Sequence, residues 1–237
     1  MLQLENISVE FGGVRALHDV TLTANTGETL GLVGPNGAGK TTLFNVISGV
    51  VKPSGGRMMF KGHAVSGAQH TRARLGIGRT FQVPQPLHEL TVRENLIVAQ
   101  RFGSGRPADP TRIDLVLEAV NLTKRQHADA ATELTLTERK ALEVAKALAT
   151  EPKLLMLDEV FAGLETHGKR LFMESLVRIR NQFHLTMIVI EHDIETIRSL
   201  CDRVAVLNFG ELLAEGSADD VFNHPEVIRS YTGESKT

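Results

Sequence analysis

The spacing of apolar and polar positions changes character along the chain, and each change predicts a different kind of element. Residues 3–9 and 20–23 alternate or run β-branched, with Gly12-Gly13 and Asn25-Thr26-Gly27 as turn signals between them. That pattern predicts short antiparallel strands at the N-terminus. Five further runs, at 30–33, 77–81, 154–158, 186–191 and 204–207, are short and mostly apolar. Runs of this kind lie buried inside a parallel sheet, and helical segments follow most of them. From residue 92 to 150 only helical periodicity is present, at 92–101, at 113–120 through Ile113, Val116, Leu117 and Val120, and at 138–149 through Leu142, Ala145 and Leu148 or Ala149. This stretch reads as a helical insert, entered through Val83-Pro84-Gln85-Pro86 and left through Pro152, with a turn-rich loop at 102–107. No repeat of fixed period and no low-complexity tract interrupts the pattern.

Composition narrows the partners more than the fold. The chain has 237 residues, 42% of them hydrophobic, enough to bury one sizeable core. A net charge of −2 supplies no basic footprint for nucleic acid, and no Lys/Arg run suggests a polybasic membrane anchor. Nucleic acid is therefore not an expected partner. The single cysteine, Cys201, has no second thiol to pair with and reads as a small, partly buried residue in a reducing compartment. Residues 1–5 lack the basic and apolar regions of a signal peptide, and the longest apolar runs are too short to span a bilayer. A cytosolic chain is expected.

The sharpest chemical signal is Gly34-Pro35-Asn36-Gly37-Ala38-Gly39-Lys40-Thr41, which fits G-x-x-x-x-G-K-[ST]. An apolar run precedes it and a helix-like stretch, 42–50, follows it. Glycines let the backbone turn tightly and aim successive N–H groups inward at a helix N-terminus, where the macrodipole adds attraction for phosphate. Lys40 is expected to reach the β- and γ-phosphates, the Thr41 hydroxyl to hold Mg²⁺, and Thr42 to complete the cradle. The expected fold class is α/β, a P-loop NTPase (RecA-like) with a mostly parallel sheet, an N-terminal antiparallel β subdomain and the helical insert. Residues 1–88 and 151–237 would form the nucleotide-binding core and 89–150 the helical subdomain.

A second site is Leu154-Leu155-Met156-Leu157-Asp158-Glu159, where four apolar residues end in two carboxylates at the C-terminal end of a strand, the edge at which open α/β sheets bind ligands. Asp158 is placed to hold Mg²⁺ and Glu159 to accept a proton from, or orient, an attacking water. His192 follows the strand expected at 186–191, and its neighbour Asp193 is placed to cap the next helix. Gln82 follows the strand expected at 77–81.

Phosphate loop, Gln after a strand, helical insert, Asp-Glu after a strand and His after the next strand come in an order that resembles the ATP-binding cassette (ABC) ATPases over the whole chain. Four stretches narrow the likeness: Gly76-Ile77-Gly78-Arg79-Thr80-Phe81-Gln82, His88-Glu89-Leu90-Thr91-Val92-Arg93-Glu94-Asn95-Leu96, Ile190-Glu191-His192-Asp193, and the ending Asn223-His224-Pro225-Glu226-Val227-Ile228-Arg229-Ser230-Tyr231-Thr232-Gly233-Glu234. They are similar to the ATPase subunits of high-affinity branched-chain amino-acid importers. The resemblance implies an ATP hydrolase, peripheral on the cytoplasmic side of the cell membrane, that drives integral membrane permease subunits and, indirectly, serves a periplasmic or extracellular binding protein. It also implies roles: Phe11 stacks on adenine, with packing inside a β-hairpin as the alternative, Gln82 senses the γ-phosphate and Mg²⁺ and meets the membrane subunit, and His192 binds the γ-phosphate.

The family's Leu-Ser-Gly-Gly-Gln motif, which grips ATP held by the opposite subunit, falls on Leu134-Thr135-Leu136-Thr137-Glu138. Thr135 and Thr137 keep hydroxyls, but Leu136 and Thr137 put side chains where backbone must approach phosphate. Val160 and Glu165 also stand where the family usually has Pro and Asp. The half of the machinery that acts on the chain's own nucleotide is intact, and the half offered to a partner is altered. A heterodimer with a second ATPase subunit is the expectation that follows, with a homodimer as the alternative. Urea, amides or other amino acids are alternative cargoes. A non-transport regulatory ATPase and a weakly hydrolysing structural subunit are the rival functions.

Overall fold

The structure is a computed structural model that describes residues 1–232, so the Gly233-Glu234 end of the C-terminal motif lies outside the described residues. Two compact units make up the chain, residues 1–69 with those from Thr186 onward, and His70–Leu185.

The first unit opens with β1 (Leu2–Phe11) and β2 (Val14–Ala24), a hairpin closed at Gly12-Gly13, both with positive φ. In β1 the buried positions are Leu2, Leu4, Ile7 and Val9, so parity shifts between Leu4 and Ile7. A bulge explains this: Asn6 adopts φ +50° and the register with β2 shifts between Leu4 and Ile7. One extra residue in a strand moves every later side chain to the other face, so the bulge keeps both halves pointing into the core. Next come β3 (Thr29–Val33), buried at every position, α1 (Lys40–Ser48), β4 (Gly55–Phe60) and β5 (His63–Ala64). The antiparallel sheet expected at the N-terminus is present with strand order β2-β1-β4-β5.

In the second unit the chain runs through α2 (Gln69–Leu75), β6 (Ile77–Arg79), α3 (Val92–Ser104), α4 (Pro110–Ala119), α5 (Leu136–Ala149), β7 (Leu154–Asp158) and α6 (Thr166–Phe183). Strands β6 and β7 pair in parallel, Ile77 opposite Leu154 and Arg79 opposite Met156. Helix α5 buries Ala141, Leu142, Val144, Ala145 and Leu148 and packs on α3, α4, α6 and both strands. Thr91 caps α3 in a reciprocal box with Glu94, and Asp109 caps α4 ahead of Pro110, whose missing N–H costs nothing at a first helical position.

The chain then returns to the first unit with β8 (Thr186–Ile190), α7 (Ile194–Leu200), β9 (Arg203–Asn208), β10 (Glu211–Gly216), α8 (Ala218–Phe222) and α9 (Pro225–Thr232). Here β3 lies between β8 and β9, parallel to both, and β10 turns back antiparallel on β9. Among the described residues no helix is long and apolar enough to cross a membrane.

Three expectations need correction. The strand read at 77–81 ends at Arg79, although the Thr80 amide still donates to Met156 O at 2.9 Å, because Phe81 turns outward and is 40% exposed. The loop read at 102–107 begins only at Gly105, whose φ of +73° ends α3. Helix α5 starts at Leu136 rather than Glu138, because the cap is Thr135.

Candidate nucleotide-binding site

The first unit builds the phosphate loop between β3 and α1. Leaving the buried Val33, the backbone turns at Gly34 with φ +147°, where a Cβ would sit 2.1 Å from Leu207 O. Only glycine fits so close to β9. At the far end Gly39 takes φ +102° and leads directly into α1, with no side chain capping the helix. Its Cβ would meet Ala16 O and Leu17 Cδ2, both at 2.8 Å, so the loop lies against β2. The Gly210 amide donates to Ala38 O at 3.0 Å and fastens the loop to the β9–β10 turn. A helix N-terminus entered through glycine, with no capping side chain, is the arrangement that attracts anions. Lys40 is buried, and its ammonium donates to Gly34 O at 2.6 Å and Pro35 O at 3.0 Å. Asn36, Gly37 and Thr41 are exposed, Pro35 and Thr42 half-buried.

His192 is exposed just past β8. Leu32 of β3 pairs with Ile190, so His192 lies at the same sheet end as Gly34. Asp193 caps α7 as expected, its carboxylate accepting from the Glu195 amide and the Thr196 hydroxyl. Phe11 ends β1 with 51% exposure, so it does not pack inside the hairpin. Cys201 is partly buried beside the cluster of Val33, Ile197, Val204 and Val206.

The second unit holds the carboxylates. Asp158, the last residue of β7, is 9% exposed at its side chain and forms an ion pair of 3.0 Å with Arg79 Nη2 from β6. Its amide donates to Thr80 Oγ1 at 3.2 Å. Glu159 turns the chain at φ +48° and accepts from Gln82 Nε2 at 2.5 Å. The buried Lys140 of α5 donates to Gln82 O at 2.9 Å and Glu159 O at 3.2 Å. Gln82, Asp158 and Glu159 are thereby held together by Arg79 and Lys140. Neither basic residue was singled out as a site residue from the sequence. Arg79 had a signal, since a cation inside an apolar strand run needs a buried counter-charge. Lys140 had a weaker one, its place on the apolar face of α5.

The Thr135–Glu138 turn is closed on itself. The Glu138 carboxylate accepts from the Thr135 amide at 2.8 Å and its hydroxyl at 2.9 Å, the Glu138 amide donates to Thr135 Oγ1 at 3.3 Å, and Arg125 Nε pairs with Glu138 at 3.1 Å. Thr137 is exposed in the first turn of α5.

A family model described as ABC transporter matches residues 17–162, more than half of the chain. The chain belongs to the ABC transporter family. The high-affinity branched-chain amino acid transport ATP-binding protein LivG of Escherichia coli K12 is 36% identical over 99% of this chain and 98% of its own length. The BraF protein of Pseudomonas aeruginosa, which carries the same description, is 34% identical at the same coverage. Among solved structures, a nucleotide-free ATP-binding cassette from an ABC transporter superposes with TM-score 0.90 at 30% identity over 99% of both chains. Another ABC transporter cassette, in its ADP conformation, gives 0.89 at 30% identity and the same coverage. The chain is thus an ATP-binding subunit of an ABC transporter, an ATP hydrolase that works with membrane permease subunits.

Proposed function

We propose that this ABC subunit hydrolyses ATP on the cytoplasmic face of the cell membrane to drive import of branched-chain amino acids through separate permease subunits. A binding protein outside the membrane would deliver the cargo. The observation that carries the nucleotide chemistry is the N-terminus of α1, entered through Gly39 with no capping side chain, with the phosphate-loop lysine folded against the loop's own carbonyls. The cargo rests on the relatives, since LivG and BraF are described as branched-chain amino acid transport proteins.

Within this reading the amides of residues 34–42 and Lys40 hold the triphosphate, Phe11 stacks on the adenine and His192 contacts the γ-phosphate. Thr41, Asp158 and the amide oxygen of Gln82 would hold Mg²⁺. They fit that ion: a hydroxyl, a carboxylate and an amide oxygen are hard oxygen donors, and Mg²⁺ in nucleotide sites takes one or two carboxylates with phosphates and water. When bound, Mg²⁺ offsets the charge developing on the phosphates. Glu159 takes the proton of the attacking water, and Gln82, bonded to Glu159, orients it. Residues 89–150 act as the helical subdomain and 1–88 with 151–237 as the nucleotide core.

The closed Thr135–Glu138 turn supports a heterodimer. A phosphate from an opposing subunit would meet the Glu138 carboxylate, already bonded to Thr135 and Arg125, instead of open amides. A partner ATPase with a glycine-rich motif would complete the site built on this chain's phosphate loop. The test is reconstitution with the membrane proteins that co-purify with this chain, measuring ATP-driven uptake of leucine and of urea. Leucine uptake is expected, and uptake of urea alone would overturn the cargo. In the same preparation Glu159→Gln is expected to keep Mg-ATP binding and cut turnover by about 10² or more. Unchanged turnover would remove Glu159 from the chemistry.

A further inference from the structure

Helix α5 closes a ring of hydrogen bonds on the two side chains that act on the water. Lys140 is 4% exposed, and its ammonium donates to Gln82 O at 2.9 Å and to Glu159 O at 3.2 Å. Gln82 Nε2 donates in turn to Glu159 Oε2 at 2.5 Å, so each of the three residues is bonded to the other two. Glu159 needs such support. Its backbone takes φ +48°, in the left-handed region that a residue with a side chain keeps only where its neighbours fix it. The same helix straps the rest of the loop that carries Gln82: Glu143 Oε1 accepts from the Gln85 amide at 2.8 Å, and Lys146 Nζ donates to Gln85 O at 2.6 Å. For packing alone an apolar residue would suit position 140, because Ala141, Leu142 and Val144 are buried around it and a buried ammonium is costly.

We propose that Lys140 is a positioning residue for ATP hydrolysis: one ammonium fixes the main chain of both Gln82 and Glu159, and so sets where the Glu159 carboxylate meets the attacking water. Both ends of the Gln82–Glu159 contact are then referenced to a single point on α5. Without that point the two backbones move independently, and the carboxylate spends less time in the productive geometry. A residue of this kind acts on turnover and leaves Mg-ATP binding to the phosphate loop. The inference rests on the reading of Glu159 as the residue that takes the proton of the water.

The experiment uses the full chain and its assembled transporter. Lys140→Met keeps an unbranched stem and removes the ammonium, and the Ala162 amide, which donates to Glu159 O at 3.2 Å, leaves that carbonyl a partner. A misplacement of about 1 Å costs about 10²-fold in rate, so kcat should fall by about ten- to a hundredfold. Titration calorimetry on the same variant should give Mg-ATP affinity within about twofold of the wild type. The deciding measurement is the double variant. In the Glu159→Gln background Lys140→Met should change turnover by less than about twofold, since a residue that acts through Glu159 has nothing left to position. A full further loss in the double variant overturns the proposal, because a merely structural role would multiply with the loss of Glu159. Wild-type kcat in Lys140→Met overturns it too, as does an affinity that falls in step with kcat. If Lys140→Met does not fold, Lys140→Gln, which keeps two N–H donors on a shorter stem, carries the same cycle with the same two outcomes. Glu159→Gln alone keeps the premise separate: if it turns over as the wild type does, the reading of Glu159 fails, whatever Lys140 does.

Discussion

Replacing Arg79 by Met tests what holds Asp158 in place before any metal arrives. The two side chains are 8% and 9% exposed and meet at 3.0 Å, so water screens the pair little. Met keeps an unbranched stem of similar reach, so packing against β7 changes little while the charge disappears. Breaking a buried ion pair from one side leaves an uncompensated charge and costs about 3–5 kcal/mol. Against a total stability of about 5–15 kcal/mol, that is at least about a fifth of the margin. Urea unfolding followed by circular dichroism, with EDTA present, measures this directly. Repeating it with Mg²⁺ and a non-hydrolysable ATP analogue adds a second reading, because a cation brought to Asp158 replaces part of the missing charge. The loss should then shrink by about 1.4 kcal/mol or more, equivalent to roughly tenfold tighter relative binding by the variant. A loss below about 1 kcal/mol in EDTA would show the pair behaving like a screened surface bridge. An equal loss with and without the Mg-nucleotide would refute Asp158 as the metal's carboxylate.

Gly34→Ala should destabilise the chain by more than about 1 kcal/mol and abolish measurable Mg-ATP binding, because its Cβ would sit 2.1 Å from Leu207 O; thermal unfolding and calorimetry check both. Glu28 gives a pH dependence: burial alone raises its pKa, but the Arg203 side chain and the Asn25 amide outweigh it and hold the carboxyl below its ordinary value. Its stabilisation is present above the ordinary carboxylate range and is lost as pH falls through the depressed folded value, so Glu28→Gln should flatten the acid limb of the unfolding profile; parallel limbs would refute this. Leu136→Gly with Thr137→Gly should raise ATP hydrolysis by the isolated chain, which is expected to be slow. A wild-type rate of about 1–10³ s⁻¹ without a partner ATPase would end the heterodimer argument.

The parts of the fold legible in the sequence are those where a single period rules. β3, β7 and β8 are apolar without interruption because every residue is buried, and their positions were readable to within a residue. β4 and β10 escaped because neither alternates cleanly: β4 starts on Gly55-Gly56 and β10 is at most half-buried. Helix α6 has a strong amphipathic pattern but was read only as a segment following a strand, and α2, α8 and α9 are eight residues or shorter, too little for periodicity to speak. In the site, the phosphate loop was legible because its backbone demands glycine. Arg79 and Lys140 were not, since each acts through a contact far away in sequence: 79 with 158, 140 with 82.

Two helix N-termini in this chain solve the same electrostatic problem in opposite ways. Each exposes amides that no earlier turn can satisfy, and each draws negative charge. At α1 the entry residue is Gly39, which has no side chain to cap the helix, and the next residue, Lys40, brings a cation. At α5 the entry residue is Thr135, and the chain supplies the anion itself, with Glu138 folding back onto the cap and Arg125 holding the carboxylate from behind. The sequence states the difference, since Thr-x-x-Glu before an apolar run is the signature of a reciprocal cap as surely as Gly-x-x-x-x-Gly-Lys is that of a phosphate cradle. An incoming phosphate at α5 would have to displace a carboxylate that makes two hydrogen bonds and an ion pair, whereas Gly39 brings no such cap to α1. The loss of two glycines at 136 and 137 is therefore only part of what alters this turn. Its acidic cap is the other part, and both act in the same direction.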